Sequence, residues 1–327
     1  MWQQIRKLAR KFIGIVLPLF ILLPAYCALF PMWYMDEEYA MYRQQKDYVS
    51  ENQDANRVLI IGDSRTKAGF IPDELSSDCY NLALGGTTPI EGYYTLKEYL
   101  QVHPAPEYVV IAYAPMHYMD VDALWTRNIY FHVMNRADAI ELFQVASECQ
   151  DQENILIENY RLEYAMYQFY MPNKYCTALK NAGFVGRHSA NVEKYNQMLL
   201  ERGHNYFGMA DGSSDINGEA KETDFTASDV ITFYMQRIFD LCEEQGIQVV
   251  VEQLPMNETS RAILTQDFKD HYREYMTQLA SANPKVRIFG DFYMYPNSCF
   301  GDADHLNQTG ASEYCRFMRE RYPDIFH

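Results

Sequence analysis

The chain has 327 residues, 48% hydrophobic and 22% charged, a balance that excludes a disordered protein and permits a large core without metals or disulfides. Its formal net charge of -16 works against nucleic-acid binding, which rests on lysine and arginine neutralising phosphates. The same charge works against adhesion of the folded part to anionic lipid and favours solubility by self-repulsion.

The N-terminus differs from the rest. Residues 1–11 are basic, with Arg6, Lys7, Arg10 and Lys11, and residues 12–34 are almost wholly apolar. A helix needs about 20 residues, at about 1.5 Å each, to cross the hydrocarbon layer, so this run is predicted as a transmembrane segment. Asp36, Glu37 and Glu38 follow it. The positive-inside rule then leaves residues 1–11 in the cytoplasm and everything after about residue 35 outside it, with Trp33 and Tyr34 as interfacial aromatics. A cleaved signal peptide is the competing reading. The run is long for a signal h-region and no small-x-small site ends it, so an uncleaved signal anchor is expected. Residues 35–57, charged and rich in Gln and Tyr, read as a juxtamembrane helix or stalk.

The folded part, 58–327, begins at Val58. Five short apolar runs look like buried strands: 58–61, 79–82, 108–113, 247–251 and 286–289. They are near-continuous in β-branched residues rather than alternating, which predicts a parallel sheet covered on both faces. Helical patterns fall between them at 89–102, 229–245, 259–282 and 308–321; Pro89 opens the first and Gly246 stops the second. This alternation makes a doubly wound α/β fold, in which ligands bind beyond the carboxyl ends of the strands. Residues 119–225 break the alternation. Helical patterns at 123–144, 153–179 and 191–202, then a polar loop near 211–224, predict a helical insertion capping the site. Of the seven cysteines Cys27 lies in the apolar run. The other six permit disulfides in an exported domain without choosing among pairings, and Cys242 and Cys315 fall in apolar patterns where a buried thiol is the default. No cysteine or histidine spacing suggests a zinc site.

Three motifs carry the chemistry. The first strand runs into Gly62-Asp63-Ser64-Arg65, which puts a serine at the carboxyl edge of the sheet. Asn81-Leu82-Ala83-Leu84-Gly85-Gly86 follows the second strand, and its glycines let the backbone approach a ligand. Gly301-Asp302-Ala303-Asp304-His305-Leu306-Asn307 lies between the last strand and the last helix. A serine hydroxyl needs a base, histidine has the suitable range, and a carboxylate on the other ring nitrogen holds the imidazole in place. Each motif alone is an ordinary turn or surface loop; their joint occurrence in this chain order is what points to catalysis.

Together these blocks resemble the SGNH/GDSL hydrolases over roughly 58–118 and 226–322. The resemblance implies a flavodoxin-like three-layer sandwich with a parallel sheet of about five strands. It also implies Ser64 as nucleophile, His305 as base and Asp302 as its partner, with Asp304 the less suitable acid on spacing. The Ser64 amide with Gly85 or Gly86 would line the oxyanion hole. Two departures stand out. The family's third block supplies an Asn to the hole, whereas the third strand here is followed by Ala112-Tyr113-Ala114-Pro115-Met116-His117; and Arg65 replaces the family's Leu. With its anchor, the chain is more similar to the membrane-anchored proteins that accompany membrane-bound O-acyltransferases, such as the alginate O-acetylation proteins and the DltD protein of lipoteichoic acid D-alanylation. What this implies is a serine esterase or acyltransferase outside the cytoplasmic membrane, acting on O-acetyl or related acyl esters of a cell-envelope glycan or polymer. An O-acyltransferase partner is implied, and no metal or organic cofactor. The alternatives are an esterase using water as acceptor and a non-catalytic accessory. Arg65, His117 and Asn307 are the further candidates for substrate contact, Arg65 being equally suited to a structural ion pair.

Overall fold

The computed structural model describes residues 2–51, 54–150, 155–168 and 183–327. Strands β1 (Val58–Gly62), β2 (Cys79–Asn81), β3 (Tyr108–Ala112), β4 (Gln248–Val251) and β6 (Arg287–Ile288) form one all-parallel sheet in the order β2-β1-β3-β4-β6. The strand order reverses between β1 and β3, the place where such sheets open a crevice at their carboxyl edge. Along each strand the side chains alternate between two cores. Leu59, Ile61, Val109, Ile111, Val249 and Val251 face one, while Val58, Ile60, Val110, Ala112 and Val250 face the other. Both faces are apolar because both are covered, and this is why the strands read as continuous runs. Two further strands, β5 (Met256–Asn257) and β7 (Met294–Tyr295), pair in parallel apart from the main sheet. Two residues are too few to carry a periodicity, and the sequence did not signal them.

The described residues confirm the α/β architecture and adjust several elements. Helix α1 (Trp2–Leu29) would be about 42 Å long at 1.5 Å per residue, its apolar side chains mostly exposed, with a mean hydropathy of 2.4 in its most apolar stretch. Helix α2 (Glu37–Glu51) is not a free stalk. It buries Tyr39, Tyr42, Tyr48 and Val49 against the domain, and Gln44 Nε2 donates to the Tyr80 hydroxyl at 2.8 Å. Tyr34, expected among interfacial aromatics, is buried and donates its hydroxyl to the Cys27 carbonyl. Helices α3 (Ser64–Gly69) and α4 (Pro72–Leu75) follow β1. Helix α5 (Pro89–Val102) matches its prediction because Thr88, its N-cap, and Glu91, in its first turn, form a capping box.

In the insertion, α6 (Arg136–Glu148) starts late, at the Asn135 cap, after a π-helical turn over Leu124–Ile129. Of the pattern expected over 153–179, residues 155–168 are described: α7 (Tyr160–Tyr167) is helical and 155–159 form a turn ahead of it, while 153–154 and 169–179, with Cys176, lie outside the described residues. Helix α8 (Gly183–Leu200) begins earlier than expected and packs on α2. Helix α9 (Asp229–Gln245) ends as predicted at Gly246, whose φ of 72° suits glycine. The single helix expected over 259–282 is two, α10 (Glu258–Ile263) and α11 (Gln266–Ala282), because Thr265 caps Phe268 and starts a new helix. Helix α12 (Gln308–Arg321) closes the second face of the sheet. Cys79, Cys242, Cys299 and Cys315 are free thiols.

Candidate active site

Each residue of Gly62-Asp63-Ser64 has a separate physical duty. A Cβ on Gly62 would overlap the Ala112 carbonyl of the neighbouring strand and the Thr66 side chain, so only glycine lets β1 turn there. Asp63, fully buried, caps α3: its Oδ1 accepts from the Arg65 and Thr66 amides and its Oδ2 from the Ala114 amide at 2.7 Å. One carboxylate thereby ties the turn after β1 to the loop after β3. Ser64 opens α3, half-buried, above this anchor.

The loop after β2 reaches the same place. Asn81 Nδ2 donates to the Thr66 and Phe70 carbonyls and its Oδ1 accepts from the Ala83 amide, so the loop is fastened along α3. Buried Lys67 fastens it again, donating to the Ala83 and Gly203 carbonyls; burial pushes its ammonium down to about 7, helped by Lys194. A Cβ built on Gly85 would sit 3.7 Å from Ser64 Cβ. Gly86 has φ 70° and no room for a side chain, since Asp122 and Ala123 close in on it. Among the described residues, no acceptor takes the amides of Ser64, Gly85 or Gly86.

The third loop is built around Asp302. Its carboxylate takes His305 Nδ1 at 2.8 and 2.9 Å and also the backbone amides of Asp304 and His305. Burial opposes its ionisation, but the hydrogen bonds from the His305 ring and these amides bring the carboxyl down to about 2. Asp304, the other acid of the motif, turns away to Arg65. His305 Nε2 is buried and has no hydrogen-bond partner. The loop lies along α3: Arg65 Nη2 is 3.2 Å from Asp304, and a Cβ on Gly69 would be 3.5 Å from Leu306 Cδ1. Catalytic hydrogen bonds are often long before substrate binds, so an unpaired Nε2 is compatible with a base.

Of the remaining candidates, Arg65 and Asn307 are engaged and His117 is not. Arg65, nearly buried, pairs with fully buried Glu219 at 2.5 Å as well as with Asp304, so its guanidinium is a strut between the insertion and the Asp302 loop. His117 is buried with Nε2 at 3.6 Å from Asp63 Oδ2, and its Nδ1 has no partner. Asn307 is the N-cap of α12; its Oδ1 accepts from Gly310 and its Nδ2 donates to Ala210 and Ser298, which leaves it spent on structure. The insertion does reach the site, but through its irregular part. The Phe207 ring lies 4.7 Å from the His305 ring, Met209 donates to the Gly301 carbonyl, and Glu219 holds Arg65. Neither Phe207 nor Glu219 has a local sequence signal.

No known family model matches the sequence, and no curated protein matches it. Among solved structures, the chain is similar to one described as that of "a putative platelet activating factor from Streptococcus pneumonia". The two are 11% identical, the match covers 87% of this chain and 92% of that one, and the TM-score is 0.37. A likeness this distant carries no functional argument; the chemistry rests on the residues of the site.

Proposed function

We propose that this protein is a serine esterase or acyltransferase of the SGNH type, held at the outer face of the cytoplasmic membrane by α1. The observation that carries the reading is the Asp302–His305 pair, with an unpartnered, buried Nε2, on a loop laid along the helix that Ser64 opens. Ser64 Oγ attacks the carbonyl carbon of an acyl ester while His305 Nε2 takes its proton. Asp302 holds the Nδ1–H and stabilises the imidazolium. The amides of Ser64 and of Gly85 or Gly86 receive the oxyanion. His305 then protonates the departing alkoxide, leaving the acyl group on Ser64. A second hydroxyl, delivered in reverse through His305, takes the acyl group and restores the serine.

The acceptor we favour is a hydroxyl of a cell-envelope glycan or polymer, with acetyl as the acyl group and a membrane-bound O-acyltransferase as partner. The length of α1 and the resemblance to anchored envelope proteins support this. With water as acceptor, the same site is a carbohydrate esterase, and product analysis with and without glycan separates the two.

The test is labelling of the full chain, in detergent, with a fluorophosphonate probe. Wild type should label, and Ser64→Ala and His305→Ala should fall by about 10⁴-fold or more, the scale for removal of a triad member. A well-folded wild type that stays unlabelled would remove the catalytic reading and leave an accessory role.

A further inference from the structure

The Gly85 carbonyl oxygen is gripped from outside the strand–loop framework. The Tyr42 hydroxyl, on α2, donates to it at 2.5 Å, and Arg127 Nη1, from the insertion, donates at 2.9 Å. Arg127 is itself held by Glu38, whose carboxylate takes Nη2 at 2.9 Å and pairs with Nε. Glu38 and Tyr42 are four residues apart on α2, on one face of the helix. Tyr42 is almost fully buried, so its hydroxyl has little freedom to serve another partner.

The grip matters because of what glycine leaves undecided. Leu84 to Thr87 form a turn closed by the Thr87 amide on the Leu84 carbonyl, with Gly85 and Gly86 at its centre. Turns of types I and II differ by a flip of the central peptide, and two glycines admit either orientation. A trans peptide carries its C=O and N–H on opposite edges. Holding the Gly85 oxygen against Tyr42 and Arg127 therefore turns the Gly86 N–H away from them; a flipped peptide would present a carbonyl oxygen, which repels an oxyanion.

We propose that Tyr42, Arg127 and Glu38 are positioning residues that select the orientation of the Gly85–Gly86 peptide, making the juxtamembrane helix α2 part of the catalytic unit. This rests on the serine-hydrolase reading above. It also bears on the family's absent Asn: where a side-chain donor is missing, the backbone donors must be better fixed, and this clamp fixes one.

The experiment uses the full chain in detergent, with fluorophosphonate labelling and p-nitrophenyl acetate hydrolysis as readouts. Tyr42→Phe keeps the buried ring and loses the donor, while Arg127→Lys keeps the charge and loses the fork that joins Glu38 to Gly85. Each should lower kcat about tenfold and the labelling rate in step, and the pair together should approach the 10²- to 10³-fold loss of one oxyanion donor. KM should stay within about twofold, since the contact acts on the transition state rather than on bound ester. A structural role would instead lower the unfolding midpoint and leave kcat per folded molecule intact. Wild type that reacts at Ser64 while both folded variants match it overturns the clamp alone. Wild type that neither labels nor hydrolyses overturns the serine reading and the clamp with it.

Discussion

At the scale of single residues, the site is decided by which carboxylate the histidine meets. Asp302 and Asp304 flank Ala303 and both precede His305, yet they do opposite work: Asp302 orients the imidazole and Asp304 neutralises Arg65. The difference comes from the loop, in which Asp302 also accepts its own downstream amides and so lies under the ring. A carboxyl lowered on folding stabilises the fold fully above its unfolded value and loses that contribution as pH falls through the folded one. For Asp302 those values are 3.8 and about 2. The gap in unfolding midpoint between wild type and Asp302→Asn should therefore be constant above about pH 4 and close as the pH is taken down to about 2. A gap that persisted unchanged to the lower pH would mean that the ionised Asp302 is not what the fold uses. At neutral pH the same variant should hydrolyse ester about 10⁴-fold more slowly, because a neutral amide favours the wrong imidazole tautomer.

At the scale of elements, α2 is the helix of the two readings the sequence left open, and it is docked on the domain. Its composition is that of a solvated stalk, because tyrosines and glutamines make up most of its buried face, with only Ala40, Met41 and Val49 beside them. Those polar tips all find partners: Gln45 donates to the Leu82 carbonyl, Gln44 to Tyr80, Tyr42 to Gly85. The Tyr48 and Tyr80 rings stack at 3.7 Å. Removing a buried aromatic costs about 3–5 kcal/mol, and whole domains are stable by only about 5–15 kcal/mol. A chain that begins at residue 58 should therefore lose cooperative thermal unfolding by near-UV circular dichroism. A sharp transition in that truncated chain would return α2 to the status of a linker.

At the scale of the whole molecule, an acidic folded part follows an N-terminal helix long and apolar enough to cross a membrane. Helix α2 begins soon after α1 ends, and its first turns already touch Arg127 and Gly85. With α1 as the proposed anchor, a site built there would face substrates at the membrane surface rather than far from it. If α1 is an uncleaved anchor, the chain expressed in bacterial cells should stay in the membrane pellet through alkaline carbonate, which strips peripheral proteins. Release of the protein at a mass lacking residues 1–29 would show instead that the segment is a signal sequence.

Local patterns along the chain were enough for the sheet and for the identity of the three loops. Strands buried on both faces have to be apolar at every position, so β1, β3 and β4 were legible; Gly62-Asp63-Ser64 and the loop from Asp302 to His305 were legible as short-range motifs, while which acid meets His305 was decided only on folding. Thr88, Ser228 and Asn307 mark helix starts for the same local reason. The roles of Arg65, Asn307 and Arg127 emerged only on folding, which also brought Glu38, Tyr42, Phe207 and Glu219 to the site. Their partners lie up to hundreds of residues away, and a polar side chain's function depends on what meets it once water has been excluded, which no local pattern records.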